Sequence, residues 1–325
     1  MTFTRAVLAG LLLASGVTLA STGPAAAQTK TVAITAIAEH PALDAARDGI
    51  VEGLAAAGWK AGETVTIDFQ SARGDPAAAT QIARRFAGSR PDVIVPISTP
   101  SAQAIATATR AIPVVFTAVS DPVGARLVKS LEKPGGNVTG ISDPVPVAAH
   151  VALIREILPN ATRLAVLFSP GESNSVSLVR VLKEEAGRQG LSVIDTPVAK
   201  AVDAAAAVQG LAGKADALYI PLDNAVVSVL DGVVAAGRQA KLPVFSADTD
   251  SVARGTVASI GFDYRQVGRQ AGAVAARILK GDEPGDIPVV PAQGTDLVIN
   301  PASARAMGVI IPDAVAARAT RVIGP

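Results

Sequence analysis

DVIVPISTP (92–100) places a short apolar run of β-formers directly before a hydroxyl-rich junction, with a proline where a helix would take its first turn. A near copy, DALYIPLDN (216–224), follows later in the chain. The segments after each pair up as well: IPVVFTAVSDP (112–122) resembles LPVFSADTDSV (242–252). An offset of roughly 125 residues is too long for a solenoid repeat and is the size of a domain. One large sheet is the alternative. The copied order favours two lobes of like topology.

Reading outward gives strands at 31–37, 65–70, 93–97 and 114–117, with helices at 44–57, 76–87 and 101–110 between them. Ala45, Ile50, Leu54 and Ala57 share one side of the first helix, and Gly58 ends it. The second series has strands at 165–168, 192–196, 217–221 and 244–246, and helices at 175–188, 203–211 and 225–240. Strands that are apolar throughout and alternate with helices imply parallel sheets covered on both faces. The fold class is therefore α/β, with two Rossmann-like lobes.

The joint falls in LEKPGGNVTGISDPVPV (131–147), rich in Pro and Gly. SIGFDYRQVGRQAGAVAARILKG (259–281) then supplies a strand end and a long helix, and a strand at 297–299 and a final helix close the chain. If the long helix returns to the first lobe, that lobe comprises 28–143 and 261–287, and the second 144–260 and 288–325. Three crossings make a hinge rather than a loose linker.

The start reads as an address. Arg5 precedes an apolar run from Ala6 to Ala20, and Ala25-Ala26-Ala27 offers a small-residue cleavage site, so 1–27 is expected to be a signal peptide. With no cysteine there is no lipid anchor, disulfide or thiolate metal site. The mature protein is expected in the periplasm as a monomer. Without Arg5, 28 basic residues balance 28 acidic ones, and aromatics are 3% of the chain. Nucleic acid binding calls for cation density and stacking platforms, so it is excluded as a partner.

EHPALDAARDGIVEGL (39–54), ISTPSAQAI (97–105), VFTAVSDPVGARLV (115–128), KPGGNVTG (133–140), PLDNAVV (221–227), FSADTDSVARG (245–255) and GFDYRQVGRQAG (261–272) carry a resemblance that spans about residues 30 to 318. In these the chain resembles ABC-transporter substrate-binding proteins of the tryptophan/tyrosine-binding type, within the class I periplasmic-binding fold. The resemblance implies a small ligand, an amino acid or related carboxylate, held between lobes. It also implies delivery to an ABC permease and its ATPase, with no chemistry on the ligand. A periplasmic sensor acting on a membrane receptor is the alternative.

In open parallel sheets ligands sit beyond the carboxyl ends of strands, against helix N-termini. Thr99 and Ser101 occupy such a junction and suit a carboxylate, although Thr99 could equally be an ordinary N-cap. Thr117, Ser120 and Asp121 follow the next strand; the resemblance to leucine-type binders puts carboxylate-gripping hydroxyls there, while Asp121-Pro122 also suits a turn. Glu39 and His40 end the first strand, and His40 could instead cap the next helix. Glu172, Ser173, Asn174, Asp223 and Asn224 hold the equivalent places in the second lobe. The resemblance makes Asp248 the leading partner for an α-ammonium, since a buried carboxylate needs a cation; its alternative role is a helix cap near Ser251. His150 reads as a helix-surface residue.

No metal or cofactor is expected. The two histidines lie far apart, PGGNVTG and AGK (212–214) lack phosphate-loop spacing, and no G-x-S-x-G elbow occurs. The chain is not expected to be an enzyme.

Overall fold

The computed structural model describes Thr2 and residues 29–324. Apart from Thr2, the signal peptide expected at 1–27 lies outside the described residues. No helix among the described residues is long and apolar enough to cross a membrane.

The chain begins β1 (Lys30–Ala36), α1 (Pro41–Ala56), β2 (Val65–Ser71), α2 (Pro76–Ser89), β3 (Val93–Ile97), α3 (Thr99–Ala108), β4 (Val114–Val119) and β5 (Val138–Ser142). It continues α4 (Val147–Ile157), β6 (Arg163–Phe168), α5 (Ser173–Arg188), β7 (Ser192–Pro197), α6 (Ala204–Gln209) and β8 (Ala217–Ile220). Next come α7 (Asn224–Ser228), α8 (Leu230–Ala240), β9 (Val244–Ser246), α9 (Asp250–Ala253), β10 (Ala258–Gly261) and α10 (Tyr264–Leu279). The end is β11 (Val290–Pro291), β12 (Asp296–Ile299), α11 (Pro301–Ala306), α12 (Asp313–Ala316) and β13 (Arg321–Val322).

A six-stranded parallel sheet, ordered β11-β5-β4-β3-β1-β2, forms the first lobe. Alternation along its strands splits the core in two. Val32, Ile34 and Val95 pack with α1 and α10, while Ala33, Ile94 and Phe116 pack with α2 and α3. Glycines bring α1 and α10 together: a Cβ on Gly49 would sit 2.1 Å from Arg265 O, and one on Gly268 would sit 2.1 Å from Ala46 O. This seam fastens the late helix to the first lobe. Val290–Pro291 pairs with β5, which carries the last contact with this sheet past residue 288.

The second lobe is a four-stranded parallel sheet, β7-β6-β8-β9. A three-stranded sheet, β10-β12-β13, adjoins it, with Val257 N donating to Val244 O at 2.7 Å. The α/β expectation with parallel sheets flanked by helices is met.

Three local readings need correction. The expected helix 225–240 is two helices, because Val229 leaves helical geometry at φ −111°, ψ 21°. Residues 138–142, read as part of a joint, form β5: a Cβ on Gly140 would meet Phe116 O at 2.2 Å, so this glycine marks a close strand approach rather than a turn. His150 is buried, not on the surface. Its Nδ1 lies 2.7 Å from Tyr219 Oη and its Nε2 bonds Ile260 O. The carbonyl can only accept, so Nε2 carries the proton and Tyr219 donates to Nδ1. Burial pushes the His150 pKa down to about 4, which keeps the ring neutral.

Candidate functional site

The carboxyl ends of the two parallel sheets face each other, and the strand-to-helix junctions between them enclose a cavity. From the first lobe it takes His40, Ala118, Ser120, Asp143 and Tyr264. From the second it takes Asn174, Asp223, Asn224 and Asp248. Leu43, Leu222 and Val227 supply its apolar walls. The empty space is about 380 Å³, counting what opens outward. A wider groove beside it, lined by Arg73, Pro100 and Gln103 on one rim and Pro170 and Lys200 on the other, runs to the surface.

Each candidate side chain is held by its local fold. His40 occupies the N-cap position of α1, yet its side chain makes no capping bond and neither ring nitrogen has a partner. Burial lowers its pKa, so it is a neutral group facing the cavity. Glu39 turns outward to Arg73, 3.8 Å away. Thr99 is the first residue of α3 rather than its cap: Ser98 holds that place at φ 80°, without a side-chain capping bond. A left-handed backbone at a non-glycine residue stores strain, and Ala118 at φ 54° repeats this at the end of β4. Ser98 N donates to Thr117 O at 2.9 Å, tying the two strand ends together. The hydroxyls of Ser98, Ser101 and Thr117 are buried without partners. Buried orphan hydroxyls are costly and gather where a ligand completes them. Thr99 is buried beside them.

Asp121 folds a turn, accepting from Gly124 N at 2.8 Å, and its other oxygen accepts from Ser177 Oγ at 3.3 Å across the cleft. Ser173 Oγ donates to Gln103 Oε1 at 3.4 Å, also across the cleft. Glu172 is occupied in capping α7: it accepts from Asn224 N, Asn224 Nδ2 and Ala225 N at 3.1, 2.6 and 2.9 Å. Burial, reinforced by neighbouring Asp223, pushes its pKa up to about 7. Asp223 accepts from Ser169 N at 2.6 Å and Val226 N at 2.9 Å, and burial raises its pKa too. Asn174 Nδ2 donates to Leu222 O at 2.6 Å, leaving its Oδ1 without a partner. Asp248 accepts from Ser251 N at 2.8 Å and Ser251 Oγ at 2.6 Å, a local capping turn at the cavity wall.

The sequence reading did not single out Asp143, which follows β5 directly. It is 1% exposed and lines the cavity. Tyr264 Oη donates to its Oδ2 at 2.7 Å, while its Oδ1 has no partner. Burial pushes its pKa up to about 7. The available signal was positional: Asp143 ends a strand just as Ser98 and Ser120 do, but that strand was hidden in a Pro- and Gly-rich stretch.

Three aspartates line the cavity and no lysine or arginine does. Buried carboxylates without a cation are expensive, so the site suits a ligand that brings a positive charge and an apolar body. Among the described residues no group of three or more His, Cys, Asp or Glu could hold a metal ion.

Residues 31–323 match the model of a family described as ABC transporter substrate binding protein. A tyrosine-binding protein of Clostridioides difficile (strain R20291) is 38% identical over 278 residues, covering 86% of this chain and 81% of the relative. A conserved domain protein from Vibrio cholerae is similar in structure, with TM-score 0.89 and 50% identity over 91% of this chain and all of that one. The ABC domain from Streptococcus pneumonia solved in complex with L-Trp gives TM-score 0.88 at 36% identity over the same shares. A ligand-free, open substrate-binding protein from Clostridium difficile gives 0.68 at 39% identity, also over 91% of this chain and 100% of its own.

Proposed function

The chain belongs to the family of ABC transporter substrate-binding proteins, and from that premise we propose that it captures an aromatic L-α-amino acid between its lobes and passes it unchanged to a membrane permease driven by an ATPase. The observation that carries this reading is the cavity: walls from both lobes, three aspartates, no lysine or arginine, and an apolar patch of Leu43, Leu222 and Val227. An amino acid's ammonium answers the carboxylates, and its carboxylate suits Ser120 in the wall together with the orphan hydroxyls of Ser98, Ser101 and Thr117, which are buried near the ends of β3 and β4 without lining the cavity itself. An aromatic side chain suits the Leu43, Leu222 and Val227 surface, and the relatives named for tyrosine and solved with L-Trp support that choice.

The mechanism is a clamp. Two relatives of nearly equal identity differ in how well they superpose, the L-Trp complex matching far better than the open, ligand-free protein. That difference supports a closed arrangement of the lobes here. Ligand shifts the open–closed balance by its extra affinity for the closed form. A micromolar ligand corresponds to about −8 kcal/mol, within reach of one paired zwitterion and a small apolar contact. The place of action is the periplasm, reached through the signal peptide, and the working unit is a monomer.

Titration calorimetry on the mature protein with the twenty L-amino acids tests this. L-Trp, L-Tyr or L-Phe should bind one to one at micromolar concentration or tighter, and scattering should show the particle contract. If no amino acid binds, or if bound and free shapes coincide, the proposal is wrong.

A further inference from the structure

We propose that Asp143 is the carboxylate that receives the ligand's α-ammonium, with Tyr264 as the positioning residue that aims it. This rests on the amino-acid reading above and deepens it.

Every wall carboxylate but one is already engaged. Asp223 has one oxygen on Ser169 N and the other on Val226 N, holding α7 against the end of β6. Asp248 has both oxygens on Ser251. Glu172, just outside the cavity, is spent on the first turn of α7. Each of these carboxylates has a structural reason to be where it is. Asp143 does not. It holds one donor, the Tyr264 hydroxyl, and its Oδ1 is buried at the cavity wall with nothing to accept from. An ammonium brings three donors and a full charge to such an oxygen.

The backbone makes Asp143 a fixed point. Its N–H donates to Val119 O at 3.2 Å, and Ala292 N donates to Ser142 O at 2.7 Å beside it. Tyr264 opens α10, which the glycine seam fastens to the same lobe. Burial holds the Tyr264 phenol well above its ordinary pKa, so it stays a donor. Ser120 lines the same cavity from the end of β4. Both handles of a zwitterion, hydroxyls for its carboxylate and Asp143 for its ammonium, therefore belong to the first lobe. That lobe binds first, and the second lobe adds Asn174, Asn224 and its apolar wall on closing.

The test compares L-tryptophan with 3-indolepropionate, which keeps the ring and the carboxylate and lacks the amine. Asp143→Asn retains an acceptor for Tyr264 and removes only the charge. It should weaken L-tryptophan about 100-fold while binding 3-indolepropionate at least as tightly as the parent does. Tyr264→Phe gives a second readout. The pH at which L-tryptophan binding is lost should move upward, because the hydroxyl that favours the ionised carboxylate is gone. If Asp143→Asn binds L-tryptophan like the parent and Asp248→Asn shows the amine-specific loss instead, the assignment is overturned while the amino-acid reading stands. If the Tyr264→Phe midpoint does not move, Tyr264 does not aim the carboxylate. If the parent binds no amino acid, the functional reading fails and takes this one with it.

Discussion

Replacing Gly268 by alanine tests the seam on which the site is built. The new Cβ would lie 2.1 Å from Ala46 O, against the 3.4 Å at which ordinary contact begins. Helices α1 and α10 would have to part by more than 1 Å, and Gly49, Gly53 and Gly272 along the same seam would lose their close approach. Overpacking of this kind costs roughly 3 kcal/mol at the upper end of its usual range. Alanine returns about 1 kcal/mol through helix propensity. The net loss is about 2 kcal/mol, or a fall in Tm of about 4–8 °C, read by circular dichroism. Gly187 in α5 is the control, since a Cβ there meets nothing within 4 Å. Gly187→Ala should hold or raise Tm. L-tryptophan affinity should fall in Gly268→Ala alone, because Tyr264 rides on α10. Equal Tm values for the two variants would show that the close approach is not what holds the seam.

Asp143 is ionised at a cost when no ligand is present. Its folded pKa of about 7 lies above the unfolded value, so it lowers stability as pH rises from about 4 to 7. Asp143→Asn should accordingly be more stable than the parent at pH 8, by a few kcal/mol, and the gap should close near pH 4 in thermal melts. L-tryptophan affinity should fall as pH drops below about 7, where Asp143 takes up a proton; His40, Asp223, Asp248 and Asp250 surround the site, so the Asp143→Asn profile is the reference that isolates it. Ser98→Gly should relieve the φ 80° backbone and stabilise the apoprotein by about 1 kcal/mol, yet weaken ligand binding in calorimetry because an orphan hydroxyl is lost. Asp248→Ala should lower the Tm of the apoprotein by removing the Ser251 cap, at a cost of about 1 kcal/mol. If its ligand affinity also collapses for L-tryptophan alone, Asp248 shares the ammonium.

The parts of the fold legible in the sequence were those where periodicity and punctuation agree. β3 and β9 fell where their apolar runs ended, and the junctions after them carry polar residues proposed to hold the ligand. β5 and α4 were missed for the same reason: proline and glycine normally break structure, but Gly140 is needed there for close strand approach, and Pro144 and Pro146 only punctuate the chain before α4. Sequence position located polar side chains at the cavity, but it could not reveal which were already satisfied. Asp223, Asp248 and Glu172 look alike in the sequence. Only their hydrogen-bond partners separate caps from free acceptors. Glu39 adjoins His40 in the loop between β1 and α1, yet it turns outward to Arg73.

The rims of the cleft meet through Ser177 with Asp121 and Ser173 with Gln103, at 3.3 and 3.4 Å. The long, exposed bond between the neutral groups of Ser173 and Gln103 contributes about 1 kcal/mol at most, and the long, part-buried bond from Ser177 to the Asp121 carboxylate about 2 kcal/mol. Such a latch is too weak to keep the jaws shut by itself, so how long they stay together is set by the cargo. Once the cargo departs little adhesion has to be broken, and the protein is free to reopen and reload.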